Sequence, residues 1–178
     1  MRISECGIKN AIFLTSLGWA GVAASGQGIC AIILPKKNKR SVERELRGSE
    51  SGVRRSGRNK PANRPVLGKA VKLLQRYLSG ERVSFDLPLD MRYYTAFQQA
   101  VWKAAAKIPS GETRSYAWVA KRIRNPKAVR AVGQALGANP VPIIIPCHRV
   151  IGSSGSLGGY SGGIGMKQKL LKLETEVK

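Results

Sequence analysis

Asn139-Pro140-Val141-Pro142-Ile143-Ile144-Ile145-Pro146-Cys147-His148-Arg149-Val150 is the stretch on which the reading of this chain turns. An apolar run bracketed by prolines reads as a short strand that delivers the chain to a cysteine beside its single histidine. A lone cysteine is most often a small core residue. Here the thiol stands next to a base and a cation, surroundings that lower a thiol pKa and favour the nucleophilic thiolate. Sequence neighbours point apart in regular structure, so a Cys147–His148 contact needs a turn or an intervening water. A zinc site lacks ligands: there is no second histidine, and neither Cys6 nor Cys30 is near in sequence. No metal and no cofactor are expected.

Upstream of this stretch the chain reads as helical. Lys127 to Leu136 forms a helix closed by Gly137, and Tyr116 to Ile123 forms a shorter one, joined by an Arg124-Asn125-Pro126 turn. That is a helix-turn-helix spacing, though helix pairs are common in helical cores. Ala128, Ala131, Gly133, Ala135 and Ala138 are small where a major-groove reader carries long polar side chains, with Arg130 the cationic exception. Two readings stand: close approach to DNA without reading its sequence, or tight packing against another helix. Ahead of the pair, Ala96 to Ile108 is an amphipathic helix (Phe97, Val101, Trp102, Ala105, Ile108) halted by Pro109-Ser110-Gly111.

The first half is of another kind. Glycines 26 and 28 punctuate a stretch that continues into Ile29-Cys30-Ala31-Ile32-Ile33-Leu34, which reads as two strands around a tight turn. Lys9, the apolar 11–14 run and Gly21 to Ser25 superficially resemble a signal peptide, but the strand reading accounts better for Thr15, Ser16 and Trp19. Gly68 to Leu78 has helical spacing, and Val83 to Leu89 reads as a strand ended by Pro88. Between Pro35 and Pro65 the sequence is dominated by Lys, Arg, Ser and Gly. It reads as an exposed basic loop that buries no core, with phosphate gathering as a compatible role.

With 178 residues, 43% of them hydrophobic, the chain can bury a core in one domain or in two small ones. We expect a small α/β unit over residues 1–90, carrying the basic loop at about 35–65, and a mainly helical unit over 91–178. The balance of 31 Lys plus Arg against 10 Asp plus Glu, +21, points to a polyanionic partner, nucleic acid first. Cys6, Cys30 and Cys147 form no disulfide framework, so a reducing compartment, the cytoplasm, is expected. No apolar run is long enough to cross a bilayer, and no membrane partner is expected.

Pro146-Cys147-His148-Arg149-Val150, preceded by Asn139-Pro140, resembles the active-site signature of the O6-alkylguanine-DNA alkyltransferases, also called methylated-DNA-protein-cysteine methyltransferases. Leu17 to Ala24 is similar to that family's opening hairpin, Phe97 to Trp102 to its first C-terminal helix, and Gly111 to Tyr116 to the approach to its DNA-binding helices. Arg130-Ala131-Val132-Gly133 resembles its recognition helix, and Ser153 to Gly163 with Leu170 to Glu174 its C-terminal portion. The resemblance implies an α+β protein with an N-terminal ribonuclease-H-like α/β domain and a C-terminal winged helix-turn-helix domain. It also implies a monomer that acts on double-stranded DNA containing O6-alkylguanine.

Site roles follow from the same resemblance. Cys147 accepts the alkyl group, His148 draws off its proton through a water, and Glu174 orients the imidazole. Tyr116 donates to a ring nitrogen of the leaving guanine. Ser161 and the Val150 backbone line the O6 side of the pocket, Tyr160 forms its wall, and Gly133 lies on the recognition helix. Arg130 fills the space left when the nucleotide rotates out of the duplex. Asn139 braces the turn between recognition helix and active-site strand, and Arg149 is structural. Because a thioether offers water no activated carbonyl, the protein is spent after one transfer. The rival readings are a lesion-binding sensor, a cysteine hydrolase and a helix-turn-helix protein with an incidental cysteine.

Overall fold

The computed structural model describes residues 8–54 and 64–176; Cys6 and the cations at 55, 58 and 60 lie outside the described residues. The chain divides into two compact units, Met1–Tyr93 and Tyr94–Lys178.

In the first unit, three strands form an antiparallel sheet in the order β1 (Lys9–Thr15), β2 (Gly18–Ala24), β3 (Ile29–Lys36). The stretch that resembled a signal peptide is therefore strand, and three strands stand where two were read around the glycine turn. Residues of β2 and β3 are buried almost continuously, from Ala20 to Ala24 and from Ile29 to Leu34, because helices cover this sheet. Gly28 has φ +151°, and a Cβ there would sit 2.2 Å from the Pro88 carbonyl oxygen. Its bareness lets the 88–90 segment close on β3, with Ile29 N–H donating to Pro88 O at 2.8 Å and Asp90 N–H to Ile29 O at 2.8 Å.

Two helices follow, α1 (Lys39–Arg54) and α2 (Arg64–Leu78). The first corrects the expectation of a basic loop. Asn38 Oδ1 caps the helix by accepting from Ser41 N–H at 2.9 Å. Val42 and Leu46, one turn apart, are buried against the sheet, so the segment does contribute to a core. Helix α2 begins four residues before Gly68, since Pro65 is tolerated in a first turn whose N–H groups have no partner within the helix. Residues 83–89 correct the strand expectation. Exposure alternates along them, and Phe85 meets Tyr77 edge-on at 5.7 Å, but only Leu89 pairs, bridging to Ile29.

Asp90 closes this unit. Its carboxylate is buried, accepting from Ser25 Oγ at 2.6 Å and from Arg92 through Nε at 2.8 Å and Nη2 at 2.9 Å. The Arg92 hydrogen bonds hold its pKa below the ordinary value against the opposing effect of burial.

The second unit packs α3 (Ala96–Ala105), α4 (Tyr116–Arg122) and α5 (Val129–Gly137) on one another and adds α6 (Ile164–Thr175). Thr95 and Gln98 form a reciprocal capping box on α3. Trp102 is buried and donates Nε1–H to the Ala135 carbonyl at 2.8 Å, pinning α3 to α5. A two-residue parallel pair joins β4 (Arg114–Ser115) to β5 (Val150–Ile151), bringing the start of α4 beside the end of the cysteine segment. Among the described residues, no helix is long and apolar enough to cross a membrane.

Candidate active site

The 139–150 stretch is not the strand its apolar run suggests. Three prolines remove ladder donors, and the run folds as turns, with Ile143 at φ +76° and a lone Pro142–Ile145 bridge. It ends in a 3-10 turn, Cys147–Arg149. Asn139 holds this shape from within. Its Oδ1 accepts from Val141 N–H at 3.0 Å, and its Nδ2 donates to Ile145 O at 2.8 Å and to Cys147 Sγ at 3.1 Å. The expected turn brace is thus also a direct partner of the sulfur.

The 3-10 turn carries Cys147 and His148, both buried. Cys147 is buried and free, as is Cys30 in the first unit. His148 is fully buried, with Nε2 2.9 Å from Glu174 Oε1 on α6. Glu174 is a hub: Arg149 donates Nε–H to its Oε2 at 2.9 Å and Nη2–H to its Oε1 at 2.8 Å, and Gly111 N–H donates to Oε2 at 3.2 Å. Arg149 also donates Nη1–H to Ile108 O at 2.5 Å. It thus shares the carboxylate that faces the imidazole.

Burial moves both side chains away from their ordinary pKa values. It pushes the Cys147 thiol up, and the opposing pull of Asn139, the local backbone, Lys167 and Tyr160 is smaller. The expectation of a lowered thiol pKa is therefore corrected: desolvation of the anion outweighs the neighbouring cations. Burial likewise pushes His148 down, against Glu174, so the imidazole is neutral near pH 7. At rest the two are a thiol and a neutral imidazole.

Tyr116, Gly133, Leu136, Gly137, Cys147, Gly159, Tyr160 and Ser161 line one cavity of about 20 Å³. That is space for about one water. Tyr116 and Tyr160 are both pushed up, burial first and the Cys147 sulfur second, and both stay protonated donors. Gly133 lies against the Tyr116 ring, 3.8 Å from where a Cβ would be. Arg130 is exposed on α5, outside the cavity. Val150 is buried and contributes its carbonyl through Lys167.

Lys167 is the residue that sequence reasoning missed. It is fully buried, donates from Nζ to Val150 O at 2.6 Å and to Leu157 O, and lies 5.9 Å from the Tyr116 ring centroid. Burial pushes its pKa down, with the Cys147 sulfur opposing. Its signal was present in phase: Lys167, Leu170 and Glu174 fall on one face of α6 at i, i+3 and i+7. Among the described residues, no group of three or more His, Cys, Asp or Glu side chains is placed to hold a metal.

The family model described as the 6-O-methylguanine DNA methyltransferase ribonuclease-like domain matches residues 8–91, and the one described as that family's DNA binding domain matches 96–176. A methylated-DNA–protein-cysteine methyltransferase of Mycobacterium bovis is 58% identical over 105 residues, which is 59% of this chain and 63% of the relative. The chain thus aligns with less than two thirds of that relative's length. The crystal structure of Mycobacterium tuberculosis O6-methylguanine methyltransferase superposes with a TM-score of 0.73 at 39% identity, over 96% of this chain and 94% of that one. The Mycobacterium tuberculosis OGT in complex with DNA superposes with the same score and identity, over 93% and 92%. Matched in order through both units, and aligned with a solved relative over nearly all of its length, the chain belongs to the 6-O-methylguanine DNA methyltransferase family.

Proposed function

We propose that the protein repairs duplex DNA by moving an alkyl group from O6 of guanine to Cys147, one transfer per molecule. The observation that carries this reading is a buried thiol 3.1 Å from the Asn139 amide, on a turn that also aims a histidine at a buried carboxylate. A chain needing only a core cysteine has no use for that arrangement.

His148 takes the thiol proton through a water. Nε2 is committed to Glu174, so the proton arrives at Nδ1, and the Glu174 carboxylate stabilises the imidazolium that results. The sulfur forms its bond to the alkyl carbon as the carbon–O6 bond breaks, and the electron pair leaves with the guanine. Tyr116, protonated and beside the sulfur, donates to a guanine ring nitrogen and disperses that charge. Ser161 and the Val150 backbone meet the O6 side, and Tyr160 closes the wall. Arg130, exposed on α5 whose face includes Gly133, occupies the stack vacated by the rotated nucleotide. The protein works as a monomer in the reducing cytoplasm.

The test is to digest the duplex to nucleosides after reaction. O6-methylguanine should disappear and guanine appear mole for mole with protein, stopping at one equivalent. Tight lesion binding without loss of the adduct would make the protein a sensor, and turnover beyond one equivalent would make it a hydrolase.

A further inference from the structure

Helix α1 carries charge that neither the cysteine chemistry nor the helix-turn-helix uses. Arg40, Arg44 and Arg47 follow one another at i, i+4 and i+7, on the side opposite the buried Val42 and Leu46, and all three are exposed. The stripe spans about 10 Å of helix axis. Local electrostatics oppose this placement. The first turn holds Lys39 and Arg40 and no acidic residue, where the helix dipole favours anions. Arg40 and Arg44 are like charges one turn apart. Among the described side chains of the helix, Glu45 pairs with Lys36 at 2.8 Å, and Glu43, one turn before Arg47, lines a groove with it, Asn10 and Lys39.

We infer that the outward stripe of α1, Arg40 with Arg44 and Arg47, is a second polyanion-binding surface, and that its occupant is the phosphate backbone of duplex DNA. A second copy of the chain is a poor occupant, since each carries 31 cationic and 10 acidic residues. Duplex DNA presents phosphates at about 3.4 Å per strand along its axis, so a stripe of this length faces several. The surface reads no sequence, which suits a search for a rare lesion. This inference rests on the reading of duplex DNA as the carrier of the substrate.

The experiment measures affinity of the full chain for an undamaged duplex between 50 and 200 mM salt, for wild type, for R40A/R44A, and for K69A/K72A, which removes two exposed charges from α2. Two lost phosphate contacts lower the log–log salt slope by about 1.8, so wild type should lose roughly tenfold more affinity across that range than R40A/R44A does. K69A/K72A should keep a slope near that of wild type. Equal slopes for wild type and R40A/R44A, or an equal drop in both double variants, would overturn the inference, the latter by making net charge the cause. Binding to anionic phospholipid vesicles that depends on the stripe, with an unchanged duplex slope, would overturn it in favour of a membrane surface. Methylation of Cys147 in the same wild-type preparation separates this failure from failure of the repair reading. Alanine is the best helix former, so loss of α1 does not confound the result; circular dichroism checks it.

Discussion

At the residue scale, the proposed reacting pair is a buried thiol and a buried neutral histidine. Because burial lowers the His148 pKa below its ordinary 6.5, the transfer rate should stay level from pH 8 through 6.5 and fall only at lower pH. A rate already halved at 6.5 would mean an imidazole as solvated as a free one. Stability follows the same sign. The unfolded chain takes up the proton first, so the contribution is complete above pH 6.5 and is lost as pH falls below it, readable by urea unfolding. Glu174 holds together groups from three segments, so Glu174→Gln leaves the largely buried Arg149 uncompensated. Loss of one partner from such a pair costs about 3–5 kcal/mol, and a loss under about 1 kcal/mol in urea unfolding would contradict the hub. Cys147 and His148 were legible because a thiol, a base and proline brackets are local features. Lys167 was not, because a lysine among α6 lysines reads as solvated until the opposing elements bury it.

At the element scale, α3, α4 and α5 were legible from apolar spacing and from the Pro-Ser-Gly and Asn-Pro breaks that separate them, whereas α6 was not read as a helix. Helix α1 was not legible, because among its described side chains Val42 and Leu46 are the buried apolar anchors amid many charges, and composition outvoted a two-point period. The strand expected at 83–89 failed for the complementary reason: its alternation is real, but among the described residues only Leu89 of this segment forms a β-bridge. Leu46→Ala should therefore cost about 2–5 kcal/mol of stability, as a core truncation does. A value under about 0.5 kcal/mol, the size of a surface change, would restore the loop. Gly21 tests the same packing from the sheet side, since a Cβ there would meet Val42 at 2.7 Å and Leu46 at 2.9 Å. Gly21→Val should destabilise by about 1–3 kcal/mol through overpacking, seen as a lowered urea midpoint with unchanged slope.

At the scale of the whole molecule, a chain of +21 with two compact units and a buried thiol held by Asn139 supports the proposed reagent, spent by a single transfer. Charge pointed to a polyanion from composition alone and length allowed one domain or two, whereas the neutral resting thiol emerges only once the fold has buried Cys147. The most direct test of the central claim is the intact mass of the full chain after incubation with a duplex containing one O6-methylguanine, with Cys147→Ser alongside. The account requires a gain of one methyl group in place of one proton, capped at one per chain, located on the peptide holding Cys147 and absent from the variant. An unchanged mass at complete lesion occupancy, or methylation that persists in Cys147→Ser, would contradict it.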